Sequence, residues 1–173
     1  MVPQIKVVLL GDQSVGKTSL LNYWLSNTFE PDAAPTIGGV AQTKRENYDG
    51  TTYCFQIWDT AGAEKVSFFF NSKSFAALDE WVDFLHQQGD IPFIIVGNKE
   101  DLTAEITEEE ATNYSYSVGG QYYSASAKTG SGVENAFRAL EICAIEFYKK
   151  KPHDDTPMID PDTVDNTTSG GCC

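Results

Sequence analysis

The sequence predicts an α/β domain of three layers, in which a mostly parallel sheet lies between helices. Strand and helix patterns alternate along the 173 residues, and this alternation is typical of parallel sheets. The first strand pattern, residues 5–10, is a continuous apolar run, as expected of a strand buried on both faces. A glycine-rich loop then joins this strand directly to a helix pattern.

The remaining elements follow from local signals. Asp49-Gly50 separates two strand patterns and predicts a tight hairpin turn. Apolar residues recur at helical spacing from residue 75, and Gly89 ends that helix. Thr107 and Glu110 form a capping-box pattern that opens an acidic helix. In chain order, the predictions are a helix over 17–25, strands over 44–48 and 52–58, a helix from 75, a strand over 92–96, a helix after 107, a strand over 121–124 and a helix over 133–147.

Composition limits the classes of function. Residues 1–151 are expected to form one domain, and residues 152–173 an acidic tail without a core. Acidic residues outnumber basic ones 25 to 12, for a formal charge of −13. This balance argues against a nucleic-acid binder and against a basic patch on acidic lipid, since both need clustered Lys and Arg.

Residues 11–18 (GDQSVGKT) match the pattern G-x-x-x-x-G-K-[ST]. Its glycines allow backbone N–H groups to wrap a phosphate chain, which the N-terminus of the following helix also favours. Lys17 reaches terminal phosphates in such loops, and the Thr18 hydroxyl is a Mg²⁺ ligand. The predicted phosphate-binding residues are Gly11, Asp12, Gln13, Ser14, Val15, Gly16, Lys17, Thr18 and Ser19.

Asp59 and Gly62 end a second strand pattern in the run WDTAG. An Asp at a strand end beside a phosphate loop serves a Mg²⁺ shell, often through water. Gly62 leaves its backbone N–H free to approach a γ-phosphate. We therefore expect both residues at the phosphate end of the site.

The run NKED, which begins at Asn98, predicts the base-binding end. The Asp101 carboxylate can accept from both N–H groups on the Watson–Crick edge of guanine, whereas adenine lacks that donor pair. The Lys99 stem can lie along the base. A solvated loop is the plainer reading of NKED alone. The other residues expected near the base are Phe29, Ser126, Ala127 and Lys128.

Taken together, GDQSVGKT, PTIGG, WDTAG, NKED and SAK resemble the small GTPases of the Ras superfamily. The start IKVVLLGDQSVGKTSL and the terminal Cys-Cys are similar to the Rab family in particular. The resemblance implies the P-loop NTPase fold, GTP and GDP as ligands, one Mg²⁺, and hydrolysis of GTP. It also implies a monomer that switches between two conformations, read by effector, exchange and activating proteins.

The same resemblance assigns roles to single residues. Thr36 would close over Mg²⁺ and the γ-phosphate, so that Thr18, Thr36 and Asp59 form the metal set. Lys17, Thr36 and Gly62 would act in hydrolysis. Cys172 and Cys173 would carry two geranylgeranyl groups, which hold a protein on a membrane where one is marginal. The implied place is the cytoplasmic face of intracellular membranes, with a cytosolic pool, and the implied role is a membrane-traffic switch.

Two residues depart from the family pattern. Ala63 stands where the family usually has the Gln that orients the attacking water, which predicts slow hydrolysis. Ala41 stands where an aromatic residue usually helps to form the effector surface. A guanine-nucleotide-binding interaction module with negligible turnover is therefore the alternative function, and an ATP-using P-loop kinase or ATPase is a weaker third.

The third departure is a short stretch of chain. Asp59 and Asn98 are 39 positions apart, which leaves out the usual central fourth strand and the switch II helix. Residues 66–70 (VSFFF) could replace that strand, although the crossover before them is short. Alternatively the strand is absent, and strand 92–96 pairs directly with strand 5–10 to give five strands. A defective product without a stable core is the third possibility.

Overall fold

The computed structural model describes residues 2–31, 34, 36, 40–59 and 75–151. The predicted tail, and residues 66–70 as a replacement strand, lie outside these residues. The described elements are β1 (Gln4–Leu9), α1 (Lys17–Ser26), β2 (Val40–Tyr48), β3 (Thr51–Asp59), α2 (Leu78–Gln87), β4 (Ile94–Gly97), α3 (Glu108–Ser117), β5 (Gln121–Ser124) and α4 (Val133–Lys150).

Every secondary-structure element predicted within the described residues is present. The β2–β3 hairpin turns at Asp49 and Gly50, both of which have positive φ, as a two-residue hairpin requires. Thr107 caps α3: its hydroxyl accepts from the Glu110 N–H, and the Glu110 carboxylate accepts from the Thr107 N–H. The boundaries differ by a few residues, most at the start of β2.

The α/β class and the mostly parallel strand arrangement are confirmed. β1 pairs in parallel with β3, β3 pairs antiparallel with β2, and β4 pairs in parallel with β5. The described strands form two sheets, in the orders β1-β3-β2 and β4-β5. Both lie against α4, which packs on β1, β4 and β5.

The expected pairing of strand 92–96 with strand 5–10 is wrong for the described residues. β4 pairs with β5 on one edge, its other edge is not paired with β1 among the described residues, and residues of both β1 and β4 line a cavity of about 780 Å³. Apolar residues of α2, among them Leu78, Val82 and Leu85, line this space together with the two strands. α4 contacts both sheets, and hydrogen bonds join the loops after β1 and β4.

The core lies between the first sheet and helices α1 and α4. Leu21, Phe55, Ile57 and Val133 are at most 1% exposed. The Trp24 ring of α1 stacks on the Phe137 ring of α4, with centroids 4.3 Å apart. The helices are therefore fixed against each other as well as against the sheet. Among the described helices, none is long and apolar enough to span a membrane.

A carboxyl group is buried beside this core. Glu141 of α4 is 5% exposed and accepts a hydrogen bond of 2.5 Å from the Tyr48 hydroxyl. Its second oxygen has no hydrogen-bond partner among the described residues. Burial raises the pKa of Glu141, and Glu46 and Glu134 add to this, whereas Tyr48 and Lys44 oppose it. The folded chain therefore favours the protonated acid.

The raised pKa of Glu141 predicts a pH-dependent gain from Glu141→Gln. The stabilisation from a raised acid is complete below its unfolded pKa and is lost as pH rises through the folded value. The amide stays neutral and still accepts from Tyr48, so we expect the free energy of unfolding to rise by about 1 kcal/mol at pH 8. This gain should fall by more than half near pH 4.5, where the unfolded carboxyl is about half protonated. Urea unfolding at both pH values measures it.

Glu146→Gln is the matched control, because Glu146 is an exposed acid on the same helix. It should change stability equally little at both pH values. A Glu141→Gln chain that is destabilised by the same amount at pH 8 and pH 4.5 would contradict a buried, proton-binding carboxyl.

Candidate functional site

The loop between β1 and α1 wraps around the end of a lysine side chain. Lys17 is the first residue of α1, and its ammonium donates to the carbonyl oxygens of Gly11 and Asp12, each at 2.8 Å. Burial lowers the pKa of Lys17, while Asp59 and Asp12 oppose this shift. The loop thus holds a partly buried cation at the N-terminus of a helix, which is a site for an anion.

Three oxygen-bearing side chains meet beside this loop. The Thr18 hydroxyl donates to Asp59 Oδ2 at 2.6 Å, and the Thr18 and Thr36 hydroxyl oxygens are also 2.6 Å apart. Because Thr18 has one hydroxyl proton and gives it to Asp59, Thr36 donates to Thr18. α1, the segment before β2, and the end of β3 each contribute one of the three.

This set fits the Mg²⁺ that the family resemblance implies. Asp59 is 2% exposed, and its Oδ1 has no hydrogen-bond partner among the described residues. A buried carboxylate oxygen without a partner is costly unless a cation or water meets it. Hydroxyl and carboxylate oxygens are the ligands that Mg²⁺ takes, usually with water and phosphate oxygens completing its shell.

A second loop, after β4, is joined to the first by one side-chain amide. Asn98 Nδ2 donates to the Val15 carbonyl oxygen at 2.9 Å, and the Ala127 N–H donates to Asn98 Oδ1 at 3.0 Å. Asn98 is 8% exposed. One amide therefore connects three loops, those after β1, β4 and β5.

Lys99 makes a second connection between the first two loops. Its ammonium donates to the Ser14 carbonyl oxygen at 2.8 Å, so its stem crosses the gap between them. Burial lowers the pKa of Lys99, and Asp101 opposes the shift. Lys99 has a positive φ of 69°. This conformation costs energy in residues other than glycine, so the surrounding contacts must hold the loop in it.

Asp101 is held as a carboxylate at the far end. Its side chain is 15% exposed, and Lys128 Nζ lies 3.7 Å from Oδ2. The hydroxyl of fully buried Ser126 donates to Oδ1 at 2.6 Å. This hydrogen bond, aided by Lys128, holds the pKa of Asp101 below its usual range. The group is therefore an ionised acceptor for a ligand with N–H donors.

The structure thus brings the predicted phosphate residues 11–18, the metal set, residues 98–101 and residues 126–128 to one edge of the two sheets, whereas no hydrogen bond or ring contact with them is seen for Phe29 among the described residues. Gln13, Ser19 and Phe29 are half-buried at or after the first loop. Gly62, Ala63, Cys172 and Cys173 lie outside the described residues.

Sequence reasoning missed one residue at the site, Trp81 of α2. Its indole N–H donates to Asp12 Oδ1 at 3.3 Å. The only available signal was that a half-buried indole normally finds an acceptor, and the sequence does not say which acceptor.

Comparison with known proteins identifies the relatives. The sequence model of the Ras family matches residues 6–71 and 68–144. The chain is 35% identical to the GTP-binding protein yptV5 of Volvox carteri, over 98% of this chain and 96% of that protein. It is 34% identical to the Ras-related protein RABG3e of Arabidopsis thaliana, with 95% and 91% covered, and 34% identical to the Ras-related protein Rab7 of Cenchrus ciliaris, with 98% and 96% covered.

The comparisons also indicate where this chain is shorter than its relatives. The Ras match is in two segments that meet at residues 68–71, within the interval between Asp59 and Asn98. The alignment with the Volvox protein extends over 202 positions, more than the 173 residues of this chain. The relative therefore has sequence that this chain lacks.

The bridging amide predicts a large effect of Gly16→Ala. A Cβ at Gly16 would lie 2.3 Å from Asn98 Nδ2, and moving that amide breaks its bonds to Val15 and Ala127. With the strain of a positive φ added, we expect the nucleotide-free chain to lose about 2–4 kcal/mol of unfolding free energy in urea.

Gly50→Ala separates the strain from the collision. Gly50 also has a positive φ, but a Cβ there meets nothing within 4 Å, so a loss of about 1 kcal/mol is expected. Equal losses in the two variants would mean that contact with Asn98 is not what makes Gly16 necessary.

Proposed function

Because this chain is a Rab-type member of the Ras family, we propose that it binds GTP and GDP with one Mg²⁺ and acts as a membrane-traffic switch that hydrolyses GTP. The observation that carries the proposal is the bridge made by Asn98 between the loop of Lys17 and the loop of Asp101. A nucleotide has a phosphate end and a base end. The Asn98 bridge keeps the Lys17 ammonium, which suits the phosphates, and the Asp101 carboxylate, which suits the base, at the same edge of the two sheets.

The phosphate end would use residues 11–19. Lys17 would exchange its two carbonyl partners for phosphate oxygens, and the α1 N-terminus adds its positive dipole end. Mg²⁺ would be held by Thr18, Thr36 and Asp59. When bound, the ion neutralises charge on the phosphates. The roles of Lys17, Thr36 and Gly62 in hydrolysis belong to the same proposal.

The base end would select guanine. The ionised Asp101 carboxylate would accept from N1–H and the 2-amino group, and adenine would leave this acceptor without its donor pair. The Lys99 stem lies where it can cover one face of the base. Asn98, Ser126, Ala127 and Lys128 keep this loop in shape through the hydrogen bonds and the ion pair described above.

Thr36 gives the switch its physical basis. It reaches the site through the Thr18 hydroxyl, so its position would depend on Mg²⁺ and the γ-phosphate. Hydrolysis removes the γ-phosphate contact, and the loop then relaxes. Effector, exchange and activating proteins would read the difference.

The surface for such partners would include one row across the first sheet. Val8, Trp58 and Ala41 are register neighbours on β1, β3 and β2. Val8 is 51% exposed and Trp58 is 41% exposed. The small Ala41 side chain leaves the Trp58 ring uncovered on that side, so this chain would take partners that differ from those that read an aromatic residue there.

Membrane attachment would rest on Cys172 and Cys173. Two geranylgeranyl chains suffice for stable anchoring. The acidic tail, with five Asp residues between 152 and 173, gives no electrostatic help at anionic lipid. The proposed place is the cytoplasmic face of intracellular membranes, with a cytosolic pool and a monomeric chain. The domain limits 1–151 and 152–173 are part of the same proposal.

Asp101→Asn tests base selection. The amide still accepts from N1–H but presents a donor to the 2-amino group of guanine, so GDP affinity should fall about 100-fold or more. Xanthosine diphosphate has an oxygen at that position and should bind the variant better than it binds the unsubstituted chain. Calorimetric titration with GDP, ADP and xanthosine diphosphate measures both effects.

Glu100→Gln is the neighbouring control, because the Glu100 carboxylate accepts from the Ser124 hydroxyl. This variant should leave the ranking of nucleotide affinities unchanged. An unsubstituted chain that takes ADP as tightly as GDP would refute the proposed function.

Ala63→Gln tests slow hydrolysis. A glutamine side chain can orient the attacking water, so the single-turnover rate of bound GTP should rise about tenfold or more. Ala104→Gln, in an exposed loop, should leave the rate unchanged. An unchanged rate in Ala63→Gln would show that this position does not limit hydrolysis. Bound GTP that turns over in neither chain favours the interaction module instead.

A further inference from the structure

We propose that Trp81 is a positioning residue for the loop between β1 and α1 (residues 10–16, the phosphate loop). It would hold this loop through the carboxylate of Asp12. This inference rests on the proposed function, since the loop is taken to bind nucleotide phosphates. It adds a residue outside the sequence motifs and links the loop to α2.

The bond joins two parts of the fold across the cavity. The Trp81 indole N–H donates to Asp12 Oδ1 at 3.3 Å, and both residues line the space between β1 and β4. Asp12 has a second tie, since its carbonyl oxygen accepts from Lys17 at 2.8 Å. Its side chain and its backbone are therefore held by different partners.

α2 is anchored independently on its other side. The Tyr114 hydroxyl of α3 donates to Asp79 Oδ1 at 2.8 Å, and the Phe75 and Tyr114 rings lie 5.0 Å apart. A hydrogen bond at Asp79 and the ring contact of Phe75, just before the helix, connect this region to α3, and Trp81 connects it to the phosphate loop. It can transmit support to the loop from a part of the fold that has no phosphate contact.

The physical need arises when the ligand arrives. Phosphate oxygens compete with the Gly11 and Asp12 carbonyls for the Lys17 ammonium, so Asp12 loses its backbone tie as the nucleotide binds. A free Asp12 carboxylate near a polyanion would also repel it. Trp81 keeps that carboxylate turned toward α2 and offsets part of its charge with a donated hydrogen bond.

Trp81→Phe removes the N–H and keeps most of the apolar surface. We expect GDP affinity to fall about three- to tenfold, mainly through faster release, because a partly exposed hydrogen bond to a charged group is lost. Tyr114→Phe is the matched control: it also removes one hydrogen bond that holds α2, but it does not touch the loop. It should leave GDP affinity within about twofold. Equal losses in both variants would overturn the proposal in favour of general loosening of the helix.

A double-mutant cycle with Asp12→Ala isolates the pair. If the bond carries the effect, adding Trp81→Phe to Asp12→Ala changes GDP release by less than it does in the unsubstituted chain. Independent, additive changes would overturn the proposal. Thermal unfolding of each variant without nucleotide shows that the comparison is made on folded chains.

A readout without nucleotide separates this inference from the proposed function. The chain has three Trp residues, which give three indole N–H resonances in an ¹⁵N-correlated spectrum. Asp12→Ala, which removes the acceptor, should shift the resonance that Trp81→Phe deletes far more than the other two. If that resonance does not move, the bond is absent and this inference fails. Failure of the unsubstituted chain to bind GDP, with the resonance shifted as expected, refutes the proposed function instead.

Discussion

The geometry of the site depends on the side-chain amide of Asn98. It donates to the loop after β1 and accepts from the loop after β5, while its own backbone follows β4. The amide is buried, so it cannot exchange either partner for water without leaving a polar group unpaired. Loops from two separate sheets are thus held in one arrangement by a group that is uncharged and insensitive to pH and salt.

This constraint keeps the loops after β1 and β4 together although the chain between Asp59 and Asn98 is short. β1 and β4 do not close on each other, although each would gain backbone hydrogen bonds by doing so. α4 supports both sheets from one side, and the loop contacts hold them at the other end. A cavity of about 780 Å³ is lined by residues of both β1 and β4, while the loops that carry Lys17 and Asp101 stay connected through Asn98 and Lys99.

The sequence was informative wherever the signal is local. Strand runs, the Asp49-Gly50 turn and the Thr107 cap each depend on a few neighbouring residues, and all are present. Strand pairing is not local: an apolar run such as β4 has two edges that can pair, and its sequence does not say which strand lies beside each edge. The motifs likewise predicted which residues meet at the edge, but not that Asn98 would be the connection or that Trp81 would reach Asp12. The pattern of residue types along a segment predicts whether it is a helix or a strand and which of its faces is buried. The hydrogen-bond partner of a side chain depends instead on how distant elements pack.

The acidic composition of the chain affects how its site can attract an anionic ligand. With a formal charge of −13, the protein as a whole repels an anionic ligand, so attraction must come from cations at short range. Lys17 and Lys99 are both partly buried, and both ammonium groups are already bound to carbonyl oxygens of the phosphate loop. A phosphate group would not find free cations there. Charged phosphate oxygens would replace the neutral carbonyl oxygens as acceptors of the lysine ammonium groups. The gain in binding free energy is the difference in strength between these two kinds of hydrogen bond. Lys17 thus holds the loop together through the Gly11 and Asp12 carbonyl oxygens. If the proposed ligand draws Lys17 away from them, affinity would depend on how well other contacts hold the loop.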